Sequence, residues 1–361
     1  MSTGVIYHDP DRAWQGFTLY CETWEDARSS PDGKGEILLI DMAGDIVHRW
    51  YVETALQSFC CLMPDGDLYY PTRDRSDIVR AGLRRLDPQS NVEWWYHCRV
   101  DHDFQAFDDG RLLIHTIRDH MWPELGKQLK RCPYMVEIDA HKELLWEWHG
   151  EHHIEELEAL LSADDWEHVW SRIREDFSFD WAHNNTLQII PQNATWEQAR
   201  GNGDLRFRPG NIVFSYRSLD VIGVIDRATS EIVWAWGPGT IDGQHKPHML
   251  PNGNIMLFDN GTLRGFSRVI EVDPLTEEIE WEYRDEDPGA FFSPYISGGQ
   301  RLPNGNTLVC EGGKARLFEV TPTGEIVWDF ANPYRKEGAM GSIYRCLRYS
   351  AEYCQGLFDR I

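Results

Sequence analysis

Positive charge is scarce in this 361-residue chain: 35 lysines and arginines stand against 59 aspartates and glutamates, a formal net charge of −24. Polyanions are held by basic patches that release counterions, so this balance argues against nucleic acid or an anionic membrane as partners. No stretch approaches 18 uninterrupted apolar residues, and no membrane-spanning helix is expected. The opening segment MSTGVIYHDP has neither a basic nor an apolar leader region, which makes a cytoplasmic location the expectation. The eight cysteines are scattered, without a CxxC or zinc-type pairing, and read as buried reduced thiols. With 42% hydrophobic and 26% charged residues, the chain is globular and not disordered.

What the sequence does have is a repeat. ILLIDMAGDIVHRW (37–50), GLRRLDPQSNVEWW (82–95), MVEIDAHKELLWEW (135–148), VIGVIDRATSEIVWAW (221–236), VIEVDPLTEEIEW (269–281) and LFEVTPTGEIVW (317–328) share one phrase, two strands around a turn, closed by tryptophan. Between them lies a second phrase with a Pro-Asn-Gly-like turn: CLMPDGDLYY, AFDDGRLLIH, MLPNGNIMLFDNG and RLPNGNTLVCEGG. Asn-Gly and Asp-Gly between alternating apolar residues signal hairpins, so each unit is four strands. The closing residues Trp50, Trp95, Trp148, Trp236, Trp281 and Trp328 recur at the spacing of propeller blades, one interval holding an insertion, and all read as core. The expected fold is an all-β, six-bladed β-propeller spanning 1–361 as a single domain. Ring closure would pair 16–22 with 342–349.

The insertion falls in the blade around residues 151–210. Residues 152–177 carry apolar side chains at helical spacing and predict two helices split at Ser162, whereas 193–211 reads as a loop lengthening a hairpin. Such an excursion can serve as a lid over a pore mouth.

Aligning the hairpin phrases on their turns puts Ser58, His102, His245 and Ser297 in register, with His183 displaced by about two residues. Packing has no reason to prefer imidazole at one level of a channel, so these histidines are candidate catalytic residues. His248 follows His245 by three positions, and a shared strand face would require a bulge. Arg217 lies where its chain returns to the rim, and a guanidinium fork suits sulfate, phosphate or carboxylate. Arg264 and Arg118 occupy comparable places, together suggesting a basic funnel for a small anion.

The strings HDFQAFDDGRLL, WAHNNTLQII with IVFSYRSLDVIGVIDRATSEIVWAWG, GQHKPHMLPNGNIMLFDNG, and GGQRLPNGNTLVCEGG with LFEVTPTGEIVWDF resemble the aryl-sulfate sulfotransferase family. The likeness covers about residues 35–330. It implies a six-bladed propeller in which a histidine takes the sulfuryl group from an aryl sulfate and passes it to a phenol, without a cofactor. The nucleophile matches His245, the supporting histidines His102 and His183, and the arginine Arg217. Asn184, in the His-Asn-Asn string, joins His248, Lys246, Arg264, Tyr216 and Tyr295 as candidate substrate-binding residues. The chain departs from the family in showing neither a leader nor an accessory domain, and in carrying Lys246 where an aspartate is expected. That ammonium would lower the pKa of His245 or bind an anion.

Two other functions fit the same residues. A propeller lyase or hydrolase acting on a uronic-acid-containing glycan would neutralise the carboxylate with Arg217, or with a divalent metal ion on His102, His183, His245 and His248, and take the proton with a histidine, Tyr216 or Tyr295. A scaffold that binds proteins on its outer face is the third, though it gains nothing from clustered histidines.

Overall fold

Five of the six repeated phrases fold back on themselves around an aspartate that closes the turn, and Thr321 takes that place in the sixth. Asp41 Oδ1 accepts from the backbone N–H of Ala43 and of Asp45 at 2.9 and 3.0 Å, and Asp139 does the same for His141 and Glu143. The side chain thus replaces backbone acceptors that a two-strand turn leaves missing. The strands that follow pair antiparallel into six sheets, five of four strands and one of five, and the fold is a six-bladed β-propeller. The structure is a computed structural model and describes residues 3–22, 35–52, 56, 58–72, 78–123, 129–174, 179–334 and 341–361.

The chain divides into two compact units, Met1–Asp101 with Tyr295–Ile361, and His102–Pro294. The first opens with β1 (Gly4–His8), β2 (Phe17–Glu22), β3 (Gly35–Ile40), β4 (Ile46–Val52), β5 (Cys61–Leu62), β6 (Leu68–Thr72), β7 (Gly82–Leu86) and β8 (Val92–Tyr96). The second holds one blade of β9 (Val100–Ala106), β10 (Leu112–Met121), β11 (Leu129–Ile138) and β12 (Leu144–His149), and another of β13 (Asn184–Ile189), β14 (Ile212–Tyr216), β15 (Val221–Ile225) and β16 (Ile232–Trp236). Its third blade is β17 (His245–Met249), β18 (Ile255–Asp259), β19 (Arg268–Val272) and β20 (Ile279–Tyr283). The chain then supplies the first unit with β21 (Gly298–Arg301), β22 (Thr307–Glu311), β23 (Arg316–Val320), β24 (Ile326–Ala331) and β25 (Ile343–Tyr349).

Within the first unit, β25 pairs with β2, so one blade takes its inner strand from the far end of the chain. The last blade carries a fifth strand that the repeat did not announce, β1, paired to the outer edge of β24. Of the closing tryptophans, Trp50, Trp148 and Trp328 are fully buried and Trp236 nearly so. The indoles of Trp148 and Trp328 donate to the carbonyls of Ser230 and Met42 in the next blade. Trp95 and Trp281 correct the expectation of a core role for all six: both are only half-buried, on β8 and β20. Among the described residues every cysteine is free, and most are buried.

The insertion begins with α1 (Ile154–Leu160) and α2 (Ala163–Arg174). Ser162 separates them by accepting from Asp165 N–H at 3.2 Å, an N-terminal cap, while residues 175–177 of the expected second helix lie outside the described residues. Ile154, Leu157, Val169 and Ile173 pack with Trp148, Phe214 and Leu219, which fixes both helices on their blade. The 193–211 stretch is not the loop expected. Asn193 accepts from Trp196 N–H at 2.8 Å and starts α3 (Ala194–Ala199), a short helix whose cap outweighs its weak periodicity.

Candidate active site

His245 is the first residue of β17, and its backbone is held from several sides. Asp220 Oδ1 accepts from Gly243 N–H at 2.8 Å. The fully buried Gln244 donates from Nε2 to Ser215 Oγ and Val221 O at 3.1 and 3.0 Å, while its own carbonyl accepts from Asn185 Nδ2 at 2.8 Å. Lys246 N–H donates to Thr186 Oγ1 at 3.0 Å. With so many anchors the imidazole has one place to be.

The ring itself is oriented by Asn260. His245 Nδ1 lies 2.7 Å from Asn260 Oδ1, and Asn260 Nδ2 donates to Ser293 O at 2.8 Å, which fixes which end of the amide faces the ring. Nδ1 therefore carries the proton, shared with Gly243 O at 3.2 Å, and the lone pair resides on Nε2. Burial holds the pKa of His245 well below the ordinary histidine range. The nearby Arg217 charge pushes the same way, the Asn260 bond opposes it, and His183 and His102 add smaller depressions. Arg217, and not Lys246, is thus the leading charge on this imidazole; the Lys246 ammonium stands 3.9 Å from Asp103.

The structure brings His102 and His183 together, their ring centroids 4.5 Å apart with 61° between planes. His183 Nδ1 is 3.0 Å from Asp180 Oδ2. Both histidines have left-handed backbones, φ 55° and 47°, as do Lys246 at 54° and Asp220 at 56°. Such conformations cost non-glycine residues on the order of 1–2 kcal/mol and gather where geometry is fixed for a purpose. Arg217 opens a short turn after β14, its N–H donating to His183 O at 3.3 Å and its Nη2 to Pro294 O at 3.3 Å. It lines a cavity of about 370 Å3 together with Arg172, Ser218, Asp220, Gly243 and Thr262.

A bulge is present between His245 and His248: they oppose Phe258 and Met256, three residues of β17 spanning two of β18. Residues 256 and 258 share a face, so His245 and His248 do also. Strand β13 also bulges, with Asn184 opposite Tyr216 and Leu187 opposite Phe214; counted back from the paired Ile189 and Met249, Asn185 and not His183 stands at the position of His245. Asn184 turns into its own blade, where Oδ1 accepts from Ser215 N–H at 3.1 Å.

Several expected site residues lie elsewhere. Tyr216 is wholly buried in the core against Trp181 and Phe214, its phenol pushed well above the ordinary range, because the strand's alternation sends it away from its neighbour Arg217. Arg264 is bound to Asp259 at 3.0 Å, beside Arg268 on the same carboxylate, and lies over Phe266. Arg118 sits 3.0 Å from His149 Nδ1. Nor, among the described residues, do the four histidines gather as a metal centre.

Sequence reasoning missed Asn260, Asp180, Asp220 and Arg172. Asn260 was visible as the asparagine of the Phe-Asp-Asn-Gly string. Arg172 of α2 reaches Asp220 at 2.9 Å, and His168 of the same helix reaches it at 3.5 Å, contacts that no spacing in the sequence discloses.

The family described as Arylsulfotransferase (ASST) matches residues 72–333. A solved protein of unknown function from Bacteroides caccae is 12% identical, with 93% of this chain and 99% of that one covered at a TM-score of 0.55, a likeness of fold. AztD from Citrobacter koseri (10% identical, 93% and 98% covered) and a streptogramin B lyase (13% identical, 93% and 99% covered) each give a TM-score of 0.46. No curated protein matches. Among the described residues, no helix is long and apolar enough to cross a membrane.

Proposed function

Because this chain belongs to the arylsulfotransferase family, we propose that it transfers a sulfuryl group from an aryl sulfate to a phenolic acceptor through His245. The supporting observation is the tautomer: Asn260 holds the Nδ1 proton, and burial with Arg217 keeps the ring neutral, so Nε2 is a nucleophile at neutral pH.

In the first half-reaction Nε2 forms a bond to sulfur as the bond from sulfur to the aryl oxygen breaks. The electron pair leaves on the phenolate, which takes a proton from the His102–His183 pair. The imidazole, now N-sulfonated and cationic, is stabilised by its Nδ1–H bond to Asn260. In the second half-reaction the same histidine pair removes the proton of the acceptor phenol, whose oxygen forms the new bond to sulfur while the bond to Nε2 breaks. Arg217 stabilises charge on the sulfuryl oxygens in both steps. No net proton is consumed.

Phenolate release from an aryl sulfate, measured with and without a phenol acceptor, tests this reading. Acceptor-dependent release, abolished in His245→Asn and unaffected by chelator, with a sulfuryl adduct on His245 found by peptide mass spectrometry, is the expected result. Loss of activity on chelation, or an adduct on another residue, overturns it.

A further inference from the structure

Two arginines of the first unit lie buried against tryptophan indoles, and they differ in one respect. The Arg348 guanidinium stands 4.4 Å from the Trp328 ring centroid and is paired with the equally buried Glu319. Arg84, on β7, stands 3.9 Å from the Trp95 centroid and is only 7% exposed, yet among the described residues no carboxylate reaches it. The adjacent acids Asp65 and Asp67 both go to Arg85, on the opposite face of the strand. Arg84 Nη2 donates to Arg80 O at 3.2 Å, and its buried Nε has no partner among the described residues.

A guanidinium cannot shed its proton, so burial without a counter-charge is unfavourable, and an indole face returns only part of the loss. Arg84 also lines a cavity of about 440 Å3, bounded by β4 through Tyr51 and Val52, by Tyr70 and Leu86 of the same blade face, and by Val92 beyond the 89–91 turn. The register sets Tyr70, Arg84 and Trp95 side by side across β6, β7 and β8. Ser90 Oγ accepts from Tyr51 N–H at 3.0 Å and ties the turn to β4 at the rim. The volume suits one small organic molecule, and the walls combine one cation with phenol rings and aliphatic side chains.

We propose that this cavity is a second ligand site, independent of the His245 centre, for a small aromatic oxyanion: a planar ring bearing a carboxylate or a sulfate. The oxyanion pairs with Arg84 and the ring lies among Tyr51, Tyr70 and Leu86.

Calorimetric titration of the full chain with benzoate and with phenyl sulfate tests the proposal, comparing wild type with Arg84→Met, which keeps the apolar stem, and Arg217→Met as a control for the other site. Saturable benzoate binding that is weakened at least about tenfold by Arg84→Met and unchanged by Arg217→Met is expected. The melting temperature of the ligand-free Arg84→Met protein is expected to rise, since an uncompensated buried charge has been removed. If phenyl sulfate binds there and benzoate does not, the oxyanion is a sulfate, and the site stands. Benzoate and phenyl sulfate that bind Arg84→Met as tightly as wild type, or that show no saturable binding to wild type, overturn it. Should Arg84→Met fail to fold, Arg84→Lys provides the comparison; it retains the charge without the planar fork, and unchanged binding there counts equally against the proposal.

Discussion

His245 Nδ1 and Asn260 Oδ1 lie 2.7 Å apart, and this contact decides which ring nitrogen is available for chemistry. Asn260→Ala removes the constraint and leaves a mixture of tautomers and ring orientations. The turnover number should fall on the order of 100-fold with little change in KM, because the loss is in positioning and not in binding. Steady-state kinetics with an aryl sulfate and a phenol measure it.

The depressed pKa of His245 sets a direction for pH dependence. In the proposed mechanism the neutral ring is the nucleophile, so kcat/KM should fall only when pH drops well below the ordinary histidine range. Arg217 is the leading charge in that depression, after burial. In Arg217→Gln the pKa rises, and the acid limb of the profile should move to higher pH. A limb that stays in place excludes electrostatic coupling between the two residues.

The same shift contributes to stability, and its sign is fixed. As pH falls through the ordinary histidine range, His245 in the unfolded chain takes up a proton that the folded ring resists. The unfolded state then binds more protons, so acidification destabilises the fold, with this one site contributing at most about 1.4 kcal/mol per pH unit. Urea denaturation of wild type and His245→Asn at a series of pH values should show a shallower acid loss in the variant.

Asp220 receives Gly243 N–H at 2.8 Å and Arg172 at 2.9 Å, so it joins α2 to the strand that begins with His245. Asp220→Ala leaves a buried amide and a half-buried guanidinium without their acceptor. We expect a loss of about 2 kcal/mol, less than the full cost of breaking a buried pair because Arg172 keeps contact with solvent, and a rise in KM as the cavity wall loosens. Chemical denaturation and kinetics on one preparation separate the two effects.

Arg348→Met tests the compensated counterpart of Arg84. Glu319 is then left buried without its cation, and stability should drop by about 3–5 kcal/mol. Opposite signs for methionine at positions 348 and 84 would distinguish a guanidinium that holds the fold from one that awaits a ligand.

The blades were legible in the sequence because a repeat states its own period, and the turn aspartates, or Thr321 in the sixth copy, and closing tryptophans mark each copy twice. His102 and His245 stood out for the same reason, since both hold one matched repeat position, whereas His183 is displaced from it by two residues. The remainder depended on facts that spacing does not carry. Tyr216 and Arg217 are neighbours in the chain, yet strand alternation sends one into the core and the other to the cavity. The bulges of β13 and β17 are not marked by any spacing in the sequence, though they decide which side chains of those strands share a face. Arg172 reaches the cavity from a helix whose apolar stripe explained its packing and left its polar side without a reading.

Strand β1 covers the outer edge of β24 and makes its sheet the one of five strands. An uncovered strand edge is a template on which another chain can add its own strand. Gly4–His8 therefore occupy the place that another strand would take, and a chain lacking them is expected to retain its blades while acquiring a tendency to polymerise.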